Sequence, residues 1–209
     1  MLKAFLHGFV LAIGLIIAIG PQNMFILTQG ATHSRFAKAI PAIITSSISD
    51  TILILIAVLG VSLLILNKLW VMVTVTTIGT VFLIYIGWVN WKSSQTHNHI
   101  IHTGESTNWP VCRQVVFALS FSLLNPGAIM DTIGVIGTNS LTYSGREKLS
   151  FTLATIAVSW IWFALLALTG RIMRKNIAMY DVLNKASAIV MWISAIYMVQ
   201  RLLTIIMAK

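Results

Sequence analysis

Acidic residues are what this sequence has least of, five Asp and Glu among 209 residues. All charged types together make up 9% of the chain, where soluble domains carry about 25%. So few charges cannot cover a water-soluble fold of this length. With 57% hydrophobic residues and a mean hydropathy of +0.89, the chain has the bilayer as its natural solvent. Cysteine occurs once, as Cys112, which excludes an intrachain disulfide and a Cys-x-x-Cys redox pair, and with them a membrane thiol carrier. Also missing are a His-Glu-x-x-His zinc motif, a nucleotide loop and a dinucleotide fingerprint. Ser46, Ser47 and Ser49 have no histidine in the middle of another apolar run to serve as their base. The expectation is therefore a protein that is not an enzyme and has no cofactor. The amino-terminal run does not read as a cleaved signal peptide. Residues 4–34 contain no Lys, Arg, Asp or Glu, longer than a signal core of about 7–15 residues, and no small-x-small cleavage site closes them.

Basic residues, by contrast, are plentiful: 14 Lys and Arg give a net charge of +9. They sit between apolar runs, where they meet anionic headgroups and help to set topology, so a lipid bilayer rather than nucleic acid is the expected partner. A membrane helix needs about 20 apolar residues. Six runs meet that length: 5–27, 39–66 with Pro41 in its first turn, 69–91, 114–137, 149–170 and 186–207. Trp70, Trp88, Trp91 and Trp109 lie near run ends, as an interfacial aromatic belt requires. With six spans, Lys3, Lys68, Arg146, Lys148, Arg201 and Lys209 share one side of the membrane. The other side collects Arg35, Lys38, Lys92, Arg113, Arg171, Arg174, Lys175 and Lys185. Six against eight leans toward both termini facing outward. The chain reads as a single transmembrane domain over 1–209, with a polar loop at about 93–112 between halves of about 1–92 and 113–209. Gly14, Gly20, Gly79 and Gly87 offer small faces for helix packing, which leaves a homodimer open.

Helix breakers interrupt two of these runs, Gly20-Pro21 in the first and Asn125-Pro126 in the fourth. Proline lacks a backbone donor and clashes with the preceding turn. At membrane depth such a break is tolerated only against protein or a watery cavity. Each break also reads as a restart, with Asn125 as N-cap and Pro126 first in the helix, and with Gly20 and Pro21 in like positions. A restarted helix presents unpaired N–H groups and the positive end of its dipole, a seat for a carboxylate. Helices one and four are three spans apart, so the second half is inverted relative to the first. The expected architecture is all-α and membrane-embedded, with six transmembrane helices in two inverted three-helix repeats and matched broken helices.

Asp50 and Asp131 are the acidic residues that fall inside the runs. An aspartate at a helix centre costs about 2.5–3.5 kcal/mol on insertion scales and usually faces a cavity or a partner. Hydrogen bonding to neighbouring hydroxyls is the plainer alternative for each. Taken with the helix ends, the aspartates suit an amphoteric ligand: the dipoles take a carboxylate, Asp50 and Asp131 take an ammonium or guanidinium, and Gln22, Asn23 and Asn125 bond to either. That is the chemistry of an amino acid, a cationic one above all.

Gly20-Pro21-Gln22-Asn23-Met24-Phe25-Ile26-Leu27 with Gln29-Gly30, Ser49-Asp50, and Asn125-Pro126 followed by Asp131-Thr132 together resemble the signatures of the lysine/arginine exporter family. The resemblance covers nearly the whole chain. It implies secondary transport without ATP, exporting amino acids from the bacterial cytoplasm across the inner membrane, with lysine and arginine the usual substrates. The family commonly has His, then Val or Ala, and Tyr within the fourth-helix motif. Here Gly127, Ala128 and Ile129 stand there. Two polar groups near the proposed site are thereby lost, which bears on which substrate is carried.

Export of a cation opposes the membrane potential by about 2.3 kcal/mol per charge per 100 mV. Coupling to an inward proton is the simplest remedy, with Asp50 and Asp131 exchanging a proton for the substrate's cation. A rival reading is metal export, through His97, His99 and His102 in the polar loop, since histidine is a common transition-metal ligand.

Overall fold

The computed structural model describes residues 1–17, 20–33, 35–60, 69–100, 109–173 and 177–207. Among the described residues the elements are helices alone: α1 (Leu2–Ile16), α2 (Pro21–Thr32), a 3-10 turn (Phe36–Lys38), α3 (Ile40–Val58), α4 (Leu69–Ile100) and α5 (Val111–Leu123). There follow α6 (Pro126–Asp131), a π-helical segment (Thr132–Gly137), α7 (Thr138–Ser140), α8 (Gly145–Met173) and α9 (Ile177–Met207). Ile40–Val58, Val73–Lys92, Gly145–Met173 and Val182–Gln200 are each long and apolar enough to cross a bilayer. α1 and α2 make a fifth span if counted together, bent by 79° at their junction. The run at 114–137 is divided among the 13-residue α5, α6 and the π-helical segment.

Local chemistry sets these boundaries. α3 starts with Pro41 in its first turn, where a missing N–H is harmless. It stops where Gly60 turns left-handed at φ +76°, its N–H bonded to the Ala57 carbonyl, an arrangement glycine adopts without a Cβ penalty. Residues 61–66, the rest of the second apolar run, lie outside the described residues. α4 continues past Trp91 to Ile100, so the first part of the polar loop is helical. An apolar run marks where the bilayer ends, which is not where the helix must end.

α4 and α9 pack along each other, α1 and α2 lie on α8, and α3 lies between α8, α5 and the π-helical segment. The largest cluster of buried apolar side chains includes Phe25, Leu83, Ile86, Phe121, Phe163 and Met191, from five different helices. α2 and α8 cross at glycines. A Cβ on Gly30 would strike the Ala167 carbonyl, and one on Gly170 would strike that of Leu27, so the backbones touch. Leu149, Leu153, Ile161, Leu165 and Ile172 on the opposite side of α8 are exposed and suit lipid.

Candidate functional site

α2 is the most enclosed element, buried from Pro21 to Ile26 and again from Thr28 to Ala31. Its polar side chains must therefore find partners inside the protein. Gly20, extended at ψ 175°, is its N-cap and accepts the Met24 N–H at 3.1 Å, and Pro21 fills a first-turn position. Asn23 Nδ2 donates to the Ile16 carbonyl at 2.7 Å. Ile16 ends α1, where carbonyls lose their helical donors, so this amide stitches the two arms of the bend together. Gln22 Nε2 reaches the other way and donates to Asp50 Oδ1 at 3.0 Å.

Asp50 is half-buried in the third turn of α3, in a stretch where Ser46, Ser47 and Ser49 are buried. On the flank of this stretch Thr51 Oγ1 donates to the Ser47 carbonyl at 2.7 Å and accepts from Trp160 Nε1 of α8 at 3.1 Å. The charged centre of the site is thus held by a neutral amide. Among the described residues the ion pair joins the terminal amine of Met1 to Glu147, far along the chain from Asp50.

The second break has similar local geometry. The Asn125 carbonyl accepts the Ile129 N–H at 3.1 Å, and Asn125 Oδ1 lies 3.4 Å from the Ala128 N–H, with Pro126 opening α6. Asp131 closes α6 and is exposed. The π-helical segment that follows packs on α3, where Gly137 faces the Ala57 carbonyl. Segments of this kind are frequent at functional sites. The structure thus joins Gln22 to Asp50 directly, gives Asn23 to the bend, and sets Asn125 and Asp131 on a separate element whose continuation meets α3. His97 and His99 lie in the last turns of α4, where side chains are not described, and His102 lies outside the described residues. Among the described residues no three His, Cys, Asp or Glu side chains gather to hold a metal ion.

A further polar cluster joins the end of α2 to the first turn of α5. His33 Nε2 lies 3.3 Å from Gln29 Oε1 and 3.2 Å from Gln114 Nε2, which also donates to the Trp109 carbonyl at 3.0 Å. His33 and Gln114 are each 1% exposed. His33 is not among the candidates that the sequence analysis names. Its four-residue spacing from Gln29, which stacks the two on one helix face, is the signal that points to it.

The chain is similar to known proteins over most of its length. The model of a family described as LysE type translocator matches residues 13–201. The "Putative amino-acid transporter YisU" of Bacillus subtilis (strain 168) is 46% identical over 204 residues, covering 94% of this chain and 89% of that protein. The "Arginine exporter protein ArgO" of Pectobacterium carotovorum subsp. carotovorum (strain PC1) is 30% identical over 168 residues, 80% of this chain and 81% of its own. Its namesake in Serratia proteamaculans (strain 568) is 28% identical over 195 residues, 92% of this chain and 94% of its own. No solved structure matches.

Proposed function

Because the chain belongs to the LysE type translocator family, we propose that it exports amino acids, lysine and arginine foremost, from the bacterial cytoplasm by exchange with protons. The observation that carries this reading is the hydrogen bond from Gln22 to Asp50. A carboxylate in the interior of a membrane helix is held by the restarted helix α2 through a neutral amide, and no protein cation pairs with it among the described residues. Its negative charge is left for a mobile cation, either a proton or the positive group of a substrate. The names of the relatives, one an amino-acid transporter and two arginine exporters, support the same substrate class.

In this reading the α2 and α6 amino-terminal ends attract the substrate's carboxylate, and Asp50 with Asp131 handles its cation and the coupled proton. Gln22, Asn23 and Asn125 complete the site. Transport rather than catalysis is the task, and the multi-pass chain works in the inner membrane.

The packing supports two inverted repeats, about 1–92 and 113–209, joined by a segment at about 93–112. α1 lies on α8 as α5 lies on α3, and α2 lies on α8 as the π-helical segment lies on α3. α4 and α9, the last helices of the two halves, pair with each other. Rocking one half against the other would alternate access to the site between them.

Two measurements test the proposal. Asp50→Asn is expected to leave the amount of protein in the membrane unchanged and to abolish efflux from amino-acid-loaded cells. Undiminished efflux would remove Asp50 from the mechanism. Cells fed dipeptides and expressing the wild-type chain should expel labelled lysine or arginine ahead of neutral amino acids. A response flat across the panel would end the reading.

A further inference from the structure

Ser46, Ser47 and Ser49 are 0%, 0% and 3% exposed, and their Oγ atoms meet no hydrogen-bond partner. Helical hydroxyls ordinarily bond back to a carbonyl one turn earlier. The buried hydroxyls of Thr28, Ser140, Thr152, Thr155, Ser159 and Ser187 all do so. Thr51, in the same stretch of α3, does so as well. Thr80 of α4 and Ser122 of α5 are also buried without a partner, but each stands alone on its helix, whereas three such hydroxyls fall within residues 46–49, beside the aspartate. A buried hydroxyl without a partner destabilises a fold and wants an explanation.

Position narrows the explanation. Ser46 stands one turn before Asp50 on the same helix face, with Ser49 beside it, while Ser47 shares the flank of Thr51 that Trp160 covers. One oxygen of Asp50 is taken by Gln22, which leaves the other. We propose that Ser46 Oγ, Ser49 Oγ and the second carboxylate oxygen of Asp50 form the seat of the substrate's α-ammonium group, an inference that rests on the amino-acid export reading above.

A primary ammonium carries three N–H donors and no acceptor, and three oxygens on adjoining positions of one helix supply its partners. The substrate's own carboxylate does not fit there, because a second negative group beside Asp50 is repelled. A guanidinium presents its donors as a flat fork suited to two coplanar oxygens, which hydroxyls on α3 flanking a single free carboxylate oxygen do not provide. The seat then reads the part common to all amino acids, and selection among side chains belongs to other residues.

The test uses the full chain reconstituted in proteoliposomes, with counterflow of labelled arginine competed by three unlabelled compounds. Arginine has every group, agmatine keeps the primary ammonium but lacks the carboxylate, and 5-guanidinovalerate keeps the carboxylate and guanidinium but lacks the ammonium. In the wild type, 5-guanidinovalerate should compete far less well than arginine. In the double variant Ser46→Ala/Ser49→Ala, arginine should weaken about tenfold while 5-guanidinovalerate is unchanged, so that the gap between them narrows. The ratio of arginine to agmatine should stay constant. A gap of undiminished size, or a narrowing against agmatine instead, overturns the seat. Without substrate, the double variant in detergent should melt at a higher temperature than the wild type, because unsatisfied hydroxyls are gone. A lower melting temperature would mean that the hydroxyls are bonded within the fold, and would overturn the proposal independently. The single variants should move in the same directions and serve if the double variant fails to reach the membrane. A wild-type protein that gives no counterflow of arginine sinks the export reading itself, and the seat falls with it.

Discussion

Gln22, Asn23 and Gln29 are amides on one helix with three separate tasks: one holds Asp50, one ties α2 to the end of α1, and one meets His33. Sequence reading picked out Gln22 and Asn23 as polar groups at a break, and had no means of assigning their partners. In a straight helix Ile16 and Asn23 would be about 10 Å apart along the axis. Only the bend of 79° brings the Asn23 amide to the Ile16 carbonyl. The tasks predict different phenotypes. Asn23→Ala strands a carbonyl at the bend, and is expected to destabilise the protein by about 1–3 kcal/mol, read as a lower melting temperature in detergent. Gln22→Ala should lower efflux with a smaller change in melting, since half-buried Asp50 keeps some access to water. Equal losses of stability in the two variants would contradict this division. Asp131 shows the limit of composition as a guide: its place in an apolar run drew attention to it, yet exposure is decided by the turn it occupies at the end of α6.

At the scale of helices, hydropathy located the long spans well because the bilayer enforces about 20 apolar residues per crossing. It did worse at ends and irregularities. Lys92 and the polar residues after it end the apolar run without ending α4, and no residue pattern marks Thr132–Gly137 as π-helical. Glycine contacts were equally hidden, because a glycine in an apolar run reads the same whether it faces lipid or a neighbouring backbone. Gly14 has nothing within 4 Å of an added Cβ, whereas Gly30 has the Ala167 backbone in the way. Gly14→Ala should change stability by no more than about 0.5 kcal/mol. Gly30→Val should force α2 away from α8 and sharply reduce the folded fraction recovered by size-exclusion chromatography. Recovery of Gly30→Val at the wild-type level would mean that the two helices do not approach as closely as described.

For the whole molecule, paired breaks and a count of runs are the signs of the proposed repetition that the sequence carries. The correspondence of packing partners emerges only in three dimensions: α1 on α8 beside α5 on α3, and α2 on α8 beside the π-helical segment on α3. In the proposed mechanism two halves rock about a shared site and exchange whatever the site binds, and this bears on energetics. Expelling one monovalent cation against an inside-negative potential costs about 2.3 kcal/mol per 100 mV, and admitting one proton returns the same amount. If Asp50 alternates between a proton and the substrate's cation, each cycle moves no net charge. Proteoliposomes loaded with labelled arginine should therefore release it faster, and to a lower final level, when the outside is made acidic. A potassium diffusion potential set with valinomycin at equal pH should leave the final distribution where it was. Redistribution by the potential alone would show that the exchange is not one for one, and that Asp50 does not carry the coupling by itself.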